Sequence, residues 1–167
     1  MHGSALNASN RQRLYHLAFE SRKGDGLTTF TPRSFTMADD TLYTAGSDRY
    51  IKAWTVRGGL LKWTSNPFDH HKGRINKLAM SEEEGIVFSC SDDTLIKAWD
   101  AANGALLWTS LAHLSHSYPV LDMIVARSDS HTIVVTIDST GMTKAWAGDR
   151  EECFGIPFDN GPLLFPQ

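Results

Sequence analysis

Between residues 75 and 110 the apolar positions fall into four short runs separated by polar clusters. Ile75-Asn76-Lys77-Leu78-Ala79-Met80 carries the alternating apolar positions of a strand. Residues 81–85 are polar and read as a turn. Residues 86–90 are apolar nearly throughout, the pattern of a strand buried on both faces. Ser91-Asp92-Asp93-Thr94 predicts a tight turn, because Ser and Asp side chains hydrogen-bond their own backbone. Residues 95–99 read as a third strand. Ala102-Asn103-Gly104 reads as a turn that uses the tolerance of Asn and Gly for positive φ. Residues 106–110 read as a fourth strand.

The pattern recurs. Lys52-Ala53-Trp54, Lys97-Ala98-Trp99 and Lys144-Ala145-Trp146 place tryptophans at intervals of 45 and 47 residues. A shift of 45 carries Thr44 onto Ser89, Asp48 onto Asp93, Ile51 onto Ile96, Gly59 onto Gly104, Leu61 onto Leu106 and Trp63 onto Trp108. The same shift carries His71 onto His116, Ile75 onto Val120 and Leu78 onto Met123. The third copy ends with Thr136, Gly141 and Trp146 after a two-residue insertion. A period of this length marks copies of one supersecondary unit. Four antiparallel strands in about 45 residues make one blade of a β-propeller. The expected fold is all-β: a partial, about three-blade β-propeller of four-stranded antiparallel blades, with an incomplete ring. Blade 1 is expected at residues 32–66, blade 2 at 71–111 and blade 3 at 116–158.

His71, Ile75, Leu78, Ser89, Asp93, Ile96, Trp99 and Asp100 resemble the WD40 repeat. That pattern is a His, a first strand, a Ser or Thr, then Asp-x-x-Ile-x-x-Trp-Asp, and the similarity spans residues 14–155. The resemblance implies a non-catalytic scaffold or adaptor whose partners are proteins or peptides. The pattern also has a direct physical sense. A buried indole N–H must find an acceptor. Ser89 stands ten residues before Trp99 and can accept that bond across the hairpin. Its hydroxyl can donate to His71, and the other His nitrogen to Asp93, so that every buried polar group is satisfied. Thr44, Asp48 and Trp54 supply three members in the first unit, where residues 22–33 hold no His. His116, Thr136 and Trp146 supply three in the third, with Thr140 in the place of the Asp. The first and third relays are expected to be looser than the second.

A His–Ser–Asp set also invites a hydrolase reading. Its recurrence with the blade period and the lack of a Gly-x-Ser-x-Gly elbow make it structural, and no catalytic residue is assigned. Residues 98–108 additionally resemble the repeat of quinoprotein dehydrogenases, in which an Asp, a Gly and a Trp follow at the spacing of Asp100, Gly104 and Trp108. That resemblance implies tryptophans packed between blades (here Trp63 and Trp108), an exported, larger ring, and a quinone held with calcium. The third unit has Phe154 or Gly155 at that place, and no acidic cluster suits calcium. No cofactor is therefore expected. A third reading is the targeting module of a multidomain kinase or ubiquitin ligase.

Composition changes the picture little. The chain has 167 residues, 41% hydrophobic and 21% charged, with a net charge of −3. That balance argues against a dominant nucleic-acid footprint, which needs a basic stripe. The local basic cluster, His70, His71, Lys72 and Arg74, reads as a solvated loop, with a phosphate contact as the alternative. No stretch approaches the ~18 apolar residues of a membrane span. Cys90 and Cys153 show no zinc spacing, so no metal site is expected. Two free thiols and no secretory start at the N-terminus fit a reducing cytosol or nucleus. Residues 1–13 read as a disordered leader.

The ends raise a problem of closure. Tyr15, Leu17 and Phe19 alternate with polar or small residues, so 14–20 reads as a stray outer strand. A fourth strand of the third unit is expected at 151–158, followed by a tail at 159–167. Three blades fall short of the roughly four to eight that close a ring. Three expectations stay open: a piece of a longer propeller, a homodimer of half-rings, or a second protein that supplies the missing blades. Recognition is expected at the top face, where the loop before each first strand meets the turn between the second and third. Its candidates are His70, Lys72, Arg74, Ser47, Asp92, His116, Tyr118 and Ser139.

Overall fold

Turn chemistry cuts the chain into strands where its composition marks them. In a computed structural model that describes residues 31–128, 131–150 and 153, Asp39, Arg49 and Thr94 take positive φ at three hairpin turns. At the last of these, Asp93 N–H donates to Ser91 Oγ at 3.1 Å and Leu95 N–H to Asp93 Oδ1 at 3.1 Å. Gly104 takes φ +75°, and a Cβ there would lie 2.5 Å from the Trp63 ring, so only glycine fits.

The strands form three antiparallel meanders. β1 (Pro32–Ala38), β2 (Thr41–Gly46), β3 (Ile51–Thr55) and β4 (Leu61–Thr64) make the first. β5 (Ile75–Ser81), β6 (Ile86–Ser91), β7 (Ile96–Asp100) and β8 (Leu106–Thr109) make the second. β9 (Val120–Ser128), β10 (His131–Asp138) and β11 (Thr143–Ala147) make the third. The register repeats with the sequence: Leu42↔Trp54, Val87↔Trp99 and Val134↔Trp146 are cross-strand partners. The third tryptophan also bridges Cys153, as Trp99 pairs with Leu106. The expected leader 1–13, the strand 14–20, residues 151–152 and 154–158 of the expected fourth strand, and the tail 159–167 lie outside the described residues.

Alternation then builds the core. Val87 and Trp99 of the second sheet face the first, against Tyr43, Ala45, Ile51 and Ala53. Phe88, Cys90, Ile96 and Ala98 face the third, against Val120, Met123, Val134 and Trp146. β6 is thus buried on both faces, in keeping with its apolar run. The first strands lie side by side, β1 on β5 and β5 on β9, and the later strands splay outward. This is a partial β-propeller: among the described residues three sheets, of four, four and three strands, do not close. No helix among the described residues is long and apolar enough to cross a membrane.

Polar bonds stitch the wedges. Leu78 N–H donates to Ser34 Oγ at 2.8 Å, and Asn76 Nδ2 donates to the Val120 carbonyl at 2.9 Å. Trp63 Nε1 donates to the Ala101 carbonyl and Trp108 Nε1 to the Gly148 carbonyl, each at 3.1 Å. Both acceptors lie two residues past the tryptophan of the following sheet.

Trp99 is fully buried, whereas Trp54 at the same place in the first sheet is half-buried. Trp99→Ala is expected to cost about 3–5 kcal/mol, and Trp54→Ala less than half of that. Urea unfolding of the two variants checks this; equal midpoints would contradict the packing.

Candidate functional site

The relay begins at the buried indole. In the second sheet Trp99 Nε1 donates to Ser89 Oγ at 2.9 Å. The hydroxyl donates in turn to His71 Nε2 at 2.8 Å. His71 Nδ1 then donates to the Asp93 carboxylate at 2.9 Å. These bonds join the loop before β5, strand β6, the β6–β7 turn and strand β7. The carboxylate also accepts Lys72 N–H at 2.7 Å. Ser89 and His71 are both 0% exposed, so the hydroxyl has no access to a substrate.

The third sheet holds the same relay. Trp146 Nε1 donates to Thr136 Oγ1 at 2.9 Å, and Thr136 pairs with His116 Nε2 at 2.8 Å. The acceptor for His116 Nδ1 is Asp138, at 2.9 Å, and not Thr140 as expected. By the tryptophan register Asp138 stands where the second unit has Ser91, and its carboxylate reaches the histidine from the start of the turn. Thr140 instead donates its hydroxyl, at 2.6 Å, and its N–H, at 2.9 Å, to Asp138 Oδ1. The third relay is therefore as tight as the second, which corrects the expectation of a looser one. A sequence signal existed: the His-to-Asp separation is 22 residues in both units.

In the first sheet the indole bond is the one relay bond made among the described residues, Trp54 Nε1 to Thr44 Oγ1 at 2.9 Å. Asp48 pairs with Lys52 at 3.0 Å. The lysine before each tryptophan was missed by sequence reasoning despite its threefold recurrence. Lys97 Nζ donates to the Asp69 carbonyl at 2.9 Å, and Lys144 Nζ to the Leu114 and Ser115 carbonyls at 2.6 and 2.8 Å. Lys97 and Lys144 thus each anchor the loop that carries the relay histidine.

Electrostatics follow burial. Burial pushes both histidines below their ordinary value, and the carboxylate partners only partly offset it, so both are neutral near pH 7. Burial pushes the Asp93 carboxyl up, but the bonds from His71, Lys72 N–H and Leu95 N–H outweigh it and hold it at about 2. Asp138 is likewise held at about 2, burial being outweighed by the Thr140, His116 and Met142 donors.

The candidate partner-facing residues gather at one end of the sheets. There the β2–β3, β6–β7 and β10–β11 turns clamp onto the residue before each first strand or at its edge. Ser47 N–H donates to the Thr31 carbonyl at 3.1 Å, Asp92 N–H to Arg74 at 2.9 Å and Ser139 N–H to Pro119 at 2.9 Å. Lys72, Arg74, Tyr118 and Ser139 are exposed, while Ser47, His70 and Asp92 are half-buried. His71 and His116 do not belong with them. Both are buried in the relays, so the expected basic cluster loses His71. Arg74 Nε is paired to Asp92 at 2.6 Å, which further reduces the free charge of that loop. His70 stacks on Tyr50 at 5.1 Å between ring centroids and bonds to the Pro67 carbonyl. Among the described residues no group of His, Cys, Asp and Glu is placed to hold a metal ion.

No family model matches the chain, and no curated protein sequence matches it. Solved structures do. It is similar to the computationally designed Ika4 protein (TM-score 0.63, 19% identity, covering 84% of this chain and 79% of that one). It is similar to the computationally designed Ika8 protein (TM-score 0.63, 21% identity, 85% of this chain and 42% of that one). It is also similar to the WD40 repeats of RRP9 (TM-score 0.63, 19% identity, 74% of this chain and 36% of that one). The chain thus spans less than half the length of the last two. At these identities the likeness is one of fold, and with the three unclosed sheets it defines a β-propeller-like protein.

Ser89→Ala removes the partner of two buried groups and is expected to cost about 2–4 kcal/mol, while Thr44→Ala, which strands only the half-buried indole, should cost less. Equal costs in chemical denaturation would contradict the relay. Stability should also fall with acid. Unfolded histidines titrate near ~6.5 and folded ones lower, so between those values the unfolded chain binds more protons. Melting temperature should be level above about pH 7 and fall from there through the folded histidine values. The aspartates, at about 2 in place of an ordinary ~3.9, add a second loss below about pH 4. A melting temperature that rises from pH 7 to pH 5 would be incompatible with neutral buried histidines.

Proposed function

We propose that the chain is a non-catalytic interaction scaffold of WD40 type that works within a larger assembly and binds a protein or peptide through its loop end. The observation that carries this is the twofold recurrence of the relay. In both copies each polar group has its partner inside the protein, and the distances match. A His–Ser/Thr–Asp set that occurs twice, with its histidine and hydroxyl buried in both copies, ties the loop before a blade's first strand to its second and third strands. The groups left for recognition are those at the rim.

The rim suits that task. Its loops are clamped to stiff sheets, so recognition loses little conformational entropy. Lys72, Tyr118, Ser139 and the Arg74–Asp92 pair offer mixed polar and aromatic contacts, and aromatic and Arg residues often dominate protein interfaces. Trp63 and Trp108 pack between sheets, the feature shared with quinoprotein-type repeats, but here each indole closes a bond to a neighbouring carbonyl. Cys90 is buried, and burial pushes its thiol up to about 12, so it acts as a core residue. That inertness fits a cytosolic or nuclear setting, and a targeting role within a multidomain protein is compatible with the same surface.

The double variant Lys72→Ala, Arg74→Ala tests the rim. An exposed ion pair adds only about 0–1 kcal/mol, so the melting curve should barely move. The proteins captured from a cell lysate should be depleted relative to wild type. Capture indistinguishable from wild type would remove this surface from the proposal.

A further inference from the structure

At the end opposite the rim a groove of about 800 Å³ opens between the first and second sheets, within the roughly 300–1,000 Å³ of ligand pockets. The β1–β2, β5–β6 and β7–β8 turns and strands β2, β4 and β8 enclose it. Tyr43, Met80, Ile86 and Leu107 give it an apolar lining, and Leu107 is 49% exposed. Asp39, Glu82, Glu83, Glu84 and Asp100 also line it, against the one lining cation Lys62, whose Nζ donates to Thr41 Oγ1 at 2.8 Å. Asp100 is engaged by the Ala102 N–H at 2.7 Å and by Asn103 Nδ2 at 3.1 Å. Asp39, Glu82 and Glu84 are exposed, and among the described residues none of them forms an ion pair. Burial pushes the Tyr43 hydroxyl up; a bond with Thr41 opposes this, and the charges of Asp39 and Asp100 add to it. The repeat shows what this end of a blade accepts. A shift of 45 carries Glu82 onto Arg127, and Arg127 pairs with Glu83 of the sheet before it. The junction of the second and third sheets is thus spanned by a guanidinium–carboxylate pair. At the junction of the first and second, a further carboxylate stands in place of the guanidinium and lines the same groove as Asp39.

We propose that this groove binds an extended segment of a partner protein that carries arginine or lysine beside apolar side chains. The cation supplies from outside what Arg127 supplies at the next junction. The apolar neighbours cover Tyr43, Met80 and Leu107, and that burial holds the segment. Complementary charge steers its approach and fixes its register. Arginine suits the place better than lysine, because its planar fork can bond carboxylates bidentately. An acidic segment would set like charge against Asp39, Glu82 and Glu84 and be rejected. The groove lies at the opposite end of the sheets from Lys72, Tyr118 and Ser139, so it is a second recognition surface, independent of the rim.

A short fluorescent peptide that alternates arginine and leucine is the probe, its binding to the purified chain read by fluorescence anisotropy. Saturable binding is expected. Glu82→Arg copies the third-sheet residue into the second sheet and should weaken binding about tenfold, and Glu84→Gln about threefold. Asp122→Arg changes the net charge equally but lies outside the groove, and should leave the affinity unchanged. A peptide with serine in place of leucine should bind about tenfold less tightly. All three substituted side chains are exposed, and far-ultraviolet circular dichroism checks that each variant is folded. The absence of saturable binding, or a folded Glu82→Arg variant with wild-type affinity, would overturn the proposal. So would an equal loss in Asp122→Arg, which reduces the effect to net charge, or equal binding of the serine peptide. Displacement of the peptide by spermine at comparable concentration would make this a small-cation site and overturn it too. The Lys72→Ala, Arg74→Ala variant should bind the peptide as wild type does, so the rim and the groove can fail independently.

Discussion

One desolvation problem governs this fold: an indole N–H at the centre of a buried sheet. Left without an acceptor, it would cost more than most single contacts contribute. The hydroxyl across the hairpin solves it but carries its own proton into the interior, which needs the histidine. The histidine, held neutral by burial, carries a proton of its own, which needs the carboxylate. Each member exists to satisfy the one before it, and the sequence of bonds ends only at Asp93 or Asp138, which backbone N–H groups also hold. Four separated backbone segments are thereby fixed by a single requirement. Where the histidine is lacking among the described residues, as in the first sheet, only the indole bond remains and Trp54 is less deeply buried.

Stacking follows from alternation plus a second set of tryptophans. A strand such as β6 sends Val87 to one neighbour and Phe88 to the other, so the second sheet is core on both faces. That makes the blade unusable alone and explains why the unit must recur. Trp63 and Trp108 then lock consecutive wedges by reaching the carbonyl just past the next third strand. Gly104 is the counterpart of that lock, since a side chain there would collide with the Trp63 ring.

Strand order and register were legible because three copies of one pattern reinforce each other. Residues 86–90 could be read as doubly buried from composition alone, and the tryptophan spacing set the blade period. What failed to show depends on contact across turns. Asp138 was missed because the third unit draws its carboxylate from the place of Ser91, so a rigid shift pointed to Thr140. The basic loop looked more charged than it is, since neither the burial of His71 nor the pairing of Arg74 to Asp92 is visible in local composition. The lysines of Lys-Ala-Trp carried a visible signal, their recurrence, but their role needed the position of the loop carbonyls they bind.

The repeats also separate fold from function within one chain. Aligned by the blade period, Asn66-Pro67-Phe68-Asp69-His70-His71-Lys72-Gly73-Arg74 faces Leu111-Ala112-His113-Leu114-Ser115-His116-Ser117-Tyr118-Pro119. Only the relay histidine is retained, and it is buried in both loops. Every other position differs, including Phe68, which is 94% exposed. The fold therefore demands one residue of this loop and leaves its exposed positions to vary. Side chains that packing does not dictate and solvent can reach are where recognition can be written without destabilising the blade. Catalysis would require the reverse arrangement, with the His, Ser and Asp reachable and present once. In this chain His71 and Ser89, and their counterparts His116 and Thr136, are buried in two copies of one relay, and the side chains that solvent reaches lie in the loops above them.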